Sequence, residues 1–269
     1  MTHPLFDLSG RVALVSGAGS GMGRAMAIGF AEVGADLMLI DIDEEALGRT
    51  AAQIEALGRR VIPVVCDVTD ITQIDTLFAR IDREFGRIDV VGNVVGPGAA
   101  IAPPEEAPID EMEKAIHGLT VARFRCCQQA GRRMLKAGRG SIINISSIGG
   151  VTSLGRGQIA YGMGMGAVVQ LTRDLSTEWS SRGVRVNAIL PAQVMNPGLE
   201  QRIAAEPKLA NVFLRGIPSG RFGQPDDIKG LAIFLASDAS SWITGAIIPM
   251  DGGNLAKNAG GSHYGMPGM

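Results

Sequence analysis

Four glycines and two serines crowd into eight residues near the start of the 269-residue chain: Ser16-Gly17-Ala18-Gly19-Ser20-Gly21-Met22-Gly23. Glycines without a Cβ allow a tight turn and let backbone come close to a bound pyrophosphate. A helix that opens on such a turn offers free N–H groups and the positive end of its dipole to the phosphates. Gly17, Ser20, Gly21, Met22 and Gly23 are therefore candidate cofactor contacts. The run carries weight only if it follows a strand and opens a helix. Apolar Val12–Ser16 before it and a helical pattern to about Val33 after it supply that setting. Asp41 ends the next apolar run, 18 residues after Gly23. That is close to the spacing of about 20 at which a carboxylate bonds the adenosine ribose. A negative charge there repels a 2′-phosphate, so NAD is expected over NADP. Ile42 follows at the same edge. Asp67 and Val68, just past the third apolar run, fall there too. Asp67 is placed either to bond the adenine or to cap the helix that begins near Asp70.

The elements that must position these residues alternate along the chain. Strands are expected at Val12–Ser16, Leu37–Asp41, Val61–Cys66, Ile88–Gly92, Gly140–Ser146, Val184–Leu190 and Ala246–Met250. Helices are expected at Glu44–Leu57 and Ile71–Phe85. A long one follows the Pro97–Pro108 loop up to Lys136, and others lie near Ile159–Arg182 and at Pro225–Ala236. Gly58 and Gly86 read as stop signals. Strands alternating with helices of this length make βαβ units. The expected fold class is α/β, a Rossmann-type doubly wound parallel sheet of about seven strands with helices on both faces. Residues 1–257 read as a single dinucleotide-binding and catalytic domain, with a substrate lid at about 195–219 and a glycine-rich tail at 258–269.

Composition excludes other classes. A net charge of −2 leaves no broad basic field for nucleic acid or acidic membranes. No apolar run approaches the roughly 20 residues of a membrane span, and MTHPLFDLSGR has no charged-then-apolar leader pattern. The expected location is cytoplasmic. The three cysteines, Cys66, Cys126 and Cys127, fit neither a disulfide framework nor a zinc pattern and read as buried thiols; no metal site is expected.

Several motifs in order give the chain a family resemblance. Its S-G-x-x-x-G-x-G turn, Cys66-Asp67-Val68, Asn144-Ile145-Ser146-Ser147, Tyr161, Arg185-Val186-Asn187-Ala188, Arg221-Phe222-Gly223-Gln224-Pro225-Asp226-Asp227 and Ile243-Thr244-Gly245 with Asp251-Gly252-Gly253 resemble the short-chain dehydrogenases/reductases, in their compact single-domain form. The resemblance implies NAD(H) as cofactor, a small-molecule substrate and a homo-oligomer, commonly a homotetramer, paired through the 119–133 and 159–181 helices. It makes Tyr161 and Ser147 the catalytic pair, Tyr exchanging a proton with the substrate oxygen and Ser holding that oxygen. It adds Asn93, Gly96, Pro191, Val194 and Asn196 to the cofactor contacts.

Two family positions are lost. A Lys four residues after the Tyr grips the nicotinamide ribose and lowers the Tyr pKa; here it is Met165. An Asn holding a water relay behind that Lys falls at Leu119, or at Gly118 with a one-residue slip. A related variant with Lys seven after the Tyr meets Val168. Free phenols titrate near 10, so without the cation the phenol is expected to stay protonated, which favours carbonyl reduction over alcohol oxidation. The Met residues imply a drier, less basic pocket. Three readings stay open: a redox enzyme with an altered active site; an NAD(H)-retaining enzyme of other chemistry, such as elimination, dehalogenation or an internal redox cycle; and a non-catalytic NAD-binding subunit. In the second, His117, Arg156 or Gln158 would supply acid or base. The apolar lid residues suggest a small, moderately apolar substrate, and His263 or Tyr264 of the tail could reach a pocket.

Overall fold

The computed structural model describes residues 3–96 and 98–257. The tail at 258–269, with His263 and Tyr264, lies outside the described residues. Seven parallel strands form one sheet in the order β3-β2-β1-β4-β5-β6-β7. They are β1 (Val12–Ser16), β2 (Asp36–Asp41), β3 (Val61–Val65), β4 (Val90–Asn93), β5 (Gly140–Ile145), β6 (Val184–Pro191) and β7 (Ile247–Met250). Each expected strand is present, within two residues at each end.

Side chains alternate across these strands and feed two apolar layers. On one face Ala13, Val15, Leu37, Leu39, Ile143 and Ile189 meet α1 (Gly21–Glu32), α2 (Glu44–Ala56) and α9 (Lys229–Ala236). On the other, Val12, Leu14, Met38, Ile40, Ile142 and Val186 meet α3 (Ile71–Phe85), α5 (Ala122–Ala137) and α6 (Ile159–Trp179). Double-sided burial explains why the strands read as unbroken apolar runs.

Order in the sheet reverses between β1 and β4, each continuing outward in its own direction. A crevice opens beyond the carboxyl ends of strands at such a switch. Ser16 fixes its floor: its Oγ accepts from the N–H groups of Val94 at 2.9 Å and Val95 at 3.3 Å. The chain leaving β4 is thereby tied to β1.

The long helix expected before Lys136 is interrupted. It comprises α4 (Ile109–Ile116), one π turn (His117–Val121) and α5. The lid contains α7 (Pro197–Ala205) and α8 (Lys208–Leu214). Asp70, not Asp67, caps α3, accepting from Thr72 N at 2.8 Å and Gln73 N at 3.3 Å. No described helix is long and apolar enough to cross a membrane.

Candidate active site

The glycine run has the geometry of a cradle. A Cβ on Gly17, which sits at φ +67°, would stand 2.8 Å from Val95 Cβ. One on Gly23 would collide with the Gly17 carbonyl. Side chains are therefore excluded where the turn folds against α1. Ser20 is the N-cap of α1, yet its side chain makes no capping bond and is exposed. The first N–H groups of α1 and the Ser20 hydroxyl are thus open to a phosphate. Met22 instead packs against the core.

Asp41 stands beside the turn. Its carboxylate accepts from Gly19 N at 2.9 Å, Ile42 N at 2.8 Å and Asp43 N at 3.1 Å. The charge is held where a ribose would meet the turn, with Ile42 exposed next to it. Asp67 accepts from Thr69 N and Oγ1, both at 2.8 Å, in a local turn. Val68 lines a small cavity with Ser16, Ile40, Val95, Gly118 and Arg123. These residues fit the adenosine end of a dinucleotide: a cradle closed to side chains, free helix N–H groups, a carboxylate and an apolar slot.

Farther along the edge, Ser147 and Tyr161 line one cavity of about 360 Å³ with Arg156, Gln158, Gln193, Val194, Asn196, Leu199, Arg202 and Phe213. Ser147 is the N-cap of a short turn after β5. Its Oγ accepts from Gly149 N at 3.1 Å, which leaves the hydroxyl proton free to donate. Tyr161 is half-buried near the start of α6.

Behind Tyr161 the vacated positions are filled with hydrocarbon. Met165 (3% exposed) and Leu119 (1%) belong to one buried cluster with Ala115, Ala160 and Val168, against which Tyr161 packs. Ideal Cβ atoms on Gly96 and Gly164 would meet Leu119 at 2.7 and 2.8 Å. Leu119 thus reaches both the β4 loop and α6, whereas Gly118 lines the small cavity beside Val68. Met165 of α6 and Leu119 of the π turn, the positions where the resemblance leads one to expect a cation and an amide, thus share one apolar cluster.

The structure brings some expected residues to other work. Asn93 donates to Asn144 Oδ1 at 3.0 Å within the core. Asn196 caps α7, accepting from Leu199 N at 3.0 Å and donating to the Val194 carbonyl at 3.0 Å. Pro191 ends β6. His117 sits 3.1 Å from the Thr69 carbonyl, exposed, and does not line the Ser147–Tyr161 cavity. Arg156 and Gln158 do. Of the lid's apolar side chains Leu199, Phe213 and Ile217 are buried, Val212 is exposed, and of these four only Leu199 and Phe213 touch the cavity. Polar and apolar residues share its lining about equally, so part of the lid pattern reports helix packing rather than an apolar substrate.

Sequence reasoning missed Arg123. It is 5% exposed and donates to four backbone carbonyls: Asn93 at 2.6 Å, Ile145 at 3.0 Å, Val95 at 3.1 Å and Leu119 at 3.3 Å. Burial lowers its pKa, opposed by Cys127, Cys126 and Tyr161 nearby. It makes no salt bridge to a carboxylate among the described residues. Its helical register could have flagged it, since it lies four residues after Leu119 on the same face.

Residues 17–254 match the family model described as Enoyl-(Acyl carrier protein) reductase. The chain belongs to the short-chain dehydrogenase/reductase family. D-threitol dehydrogenase of Mycolicibacterium smegmatis is 37% identical over 94% of this chain and 95% of its own length. A Beutenbergia cavernae structure described as an NAD(P)-dependent gluconate 5-dehydrogenase with bound NADP has a TM-score of 0.88 at 35% identity, covering 94% of this chain and 100% of that one. NAD⁺-bound xylitol dehydrogenase has a TM-score of 0.85 at 30% identity, over 90% and 98% of the two chains. This short-chain dehydrogenase shares their seven-stranded α/β architecture.

Proposed function

We propose that the protein is an NAD(H)-dependent oxidoreductase that moves a hydride between the nicotinamide and a carbonyl or hydroxyl carbon, using Tyr161 and Ser147 without the family's Lys. The observation that carries this reading is the shared cavity: Ser147, which follows the carboxyl end of β5, and Tyr161 line one space. When bound, the nicotinamide supplies or accepts the hydride. Ser147 keeps its hydroxyl proton for the substrate oxygen because Gly149 N–H already occupies its acceptor side. Tyr161 gives that oxygen its proton. With Met165 and Leu119 around it, no amine helps remove the proton again, so reduction is the favoured direction.

NAD is preferred over NADP in this reading. Relatives hold either cofactor, so the choice falls to Asp41, whose carboxylate stands at Gly19 N and would repel a 2′-phosphate. Gly17, Ser20, Gly21, Gly23, Asp41, Ile42 and Val68 would hold the adenosine half. Asn93, Gly96, Pro191, Val194 and Asn196 would act chiefly through backbone and packing, given the bonds their side chains already make. The buried free thiols suit a reducing, cytoplasmic setting. Exposed Val121, Phe124, Ile159 and Met163 on the helices beside the cavity support a homo-oligomer.

The test is to mix protein with NADH or NADPH and a panel of ketones, and with the oxidised cofactors and alcohols, following nicotinamide absorbance. Turnover with NADH should fall by roughly 10²–10⁴ in Tyr161→Phe. Dinucleotide binding with no absorbance change on any substrate would sink this reading.

A further inference from the structure

Two arginines face the Ser147–Tyr161 cavity from different elements. Arg156 comes from the loop between Ser147 and α6, and Arg202 from α7 of the lid. No Asp or Glu lines the cavity. Neither guanidinium makes a salt bridge or a side-chain hydrogen bond with any other described residue, although Glu206 lies one helical turn from Arg202. Arg156 is nevertheless held in place. Its guanidinium lies 4.5 Å over the ring of Phe213, which is buried and packs edge-on against Phe222. Burial and the charge of Arg202 both lower the Arg156 pKa. Both side chains reach solvent, so water screens their repulsion, and an anion entering the cavity would meet two guanidinium groups with no carboxylate competing for them. Gln193 adds a second signal in the same lining: its Oε1 is buried with no hydrogen-bond partner. A buried acceptor left unpaired asks for a donor, such as a substrate hydroxyl.

We propose that the substrate is a hydroxy or oxo compound with an acidic group, a carboxylate or a phosphate monoester, that Arg156 and Arg202 hold in this cavity while its hydroxyl or carbonyl reaches Ser147 and Tyr161. The planar forks of the two guanidinium groups match the oxygens of either anion. A neutral polyol or ketone would leave both guanidinium groups to water and gain nothing from them. Only the placement at Ser147 and Tyr161 rests on the redox reading; the anion site stands on the arginines.

Calorimetric titration of the NADH-saturated protein with hydroxy compounds, which the reduced cofactor cannot oxidise, tests this without any turnover. The probes share carbon skeletons and differ at one end: glucitol, gluconate and glucitol 6-phosphate, and hexane-1,3-diol against 3-hydroxyhexanoate. In at least one set an acid should bind about tenfold tighter than its neutral partner, or more. Comparing gluconate with glucitol 6-phosphate tells which anion is preferred. In Arg156→Gln/Arg202→Gln the ratio of acid to neutral affinity should fall to about one, with NADH binding retained as the check on folding. Equal binding of acids and neutral partners in every set, or a ratio that survives in the double variant, overturns the proposal. Acid-selective binding without turnover would count against the redox reading alone. Turnover of a neutral alcohol with no acid preference would count against this one alone.

Discussion

A guanidinium survives away from water only where dipoles replace its hydration. Arg123 meets that condition with four carbonyls, drawn from the ends of β4 and β5, the β4 loop and the π turn. It therefore clamps the strand ends that floor the crevice. Arg123→Met would orphan those acceptors, and stability by urea denaturation should fall by roughly 2–5 kcal/mol. Register four residues after Leu119 is the one sequence signal of this role, and it is masked because Arg123 stands among Arg125, Arg132 and Arg133, where charge reads as a solvated face. The cysteines were easier to read. Burial pushes the Cys66 thiol up to about 11 and Cys127 up to about 12, and raises Cys126 as well. Thiolate is the reactive form, so a disulfide reagent added to native protein should label almost none of the three. Full labelling should appear only in denaturant, and rapid native labelling would show that the sheet edge opens.

Elements with regular periodicity were legible, and elements shaped by one irregular contact were not. The seven strands follow from their double-sided burial. The π turn at His117–Val121 has no sequence signature, for the pattern through it is helical; within it Leu119 packs closely against Gly96 and Gly164. The arginines of the candidate anion site lie on a loop and on a lid helix, and only the fold makes them neighbours. The segment after the lid also turns on a local cap. Asp227 accepts from Gln224 N at 2.8 Å and pairs with Arg221 at 2.6 Å, which holds its pKa below the ordinary 3.8. A carboxyl lowered on folding adds stability above its unfolded pKa and loses it as pH falls through the folded value. Asp227→Asn should therefore be less stable than the parent at neutral pH. The gap should close as the pH drops below 3.8, as thermal melts across pH would record. A constant gap at all pH values would refute the assignment to ionisation.

At the scale of the whole molecule, the cofactor end was readable and the reaction end only half so. Gly17, Gly21, Gly23 and Asp41 lie in one strand–turn–helix–strand stretch, so local spacing carries their meaning. Ser147, Arg156 and Tyr161 come from the stretch after β5 and Arg202 from the helix after β6, and the pairing of β5 with β6 sets the two side by side. The sequence puts Met165 and Leu119 where the resemblance leads one to expect Lys and Asn, but only the fold shows that the two belong to the same apolar cluster. Because of that contact, Met165→Lys alone would press an amine into hydrocarbon. It should cost roughly 1–3 kcal/mol in stability and bring little gain in alcohol oxidation. Leu119→Asn together with Met165→Lys should recover part of the loss and raise oxidation, a favourable coupling measurable by a double-mutant cycle. Additive effects would disprove the coupling.

Such a coupling would make the cluster a ratchet. With Leu119 and Met165 packed into the same hydrocarbon, either polar change alone would be worse tolerated than both together, so stepwise single substitutions would tend to hold the site in its lysine-free form.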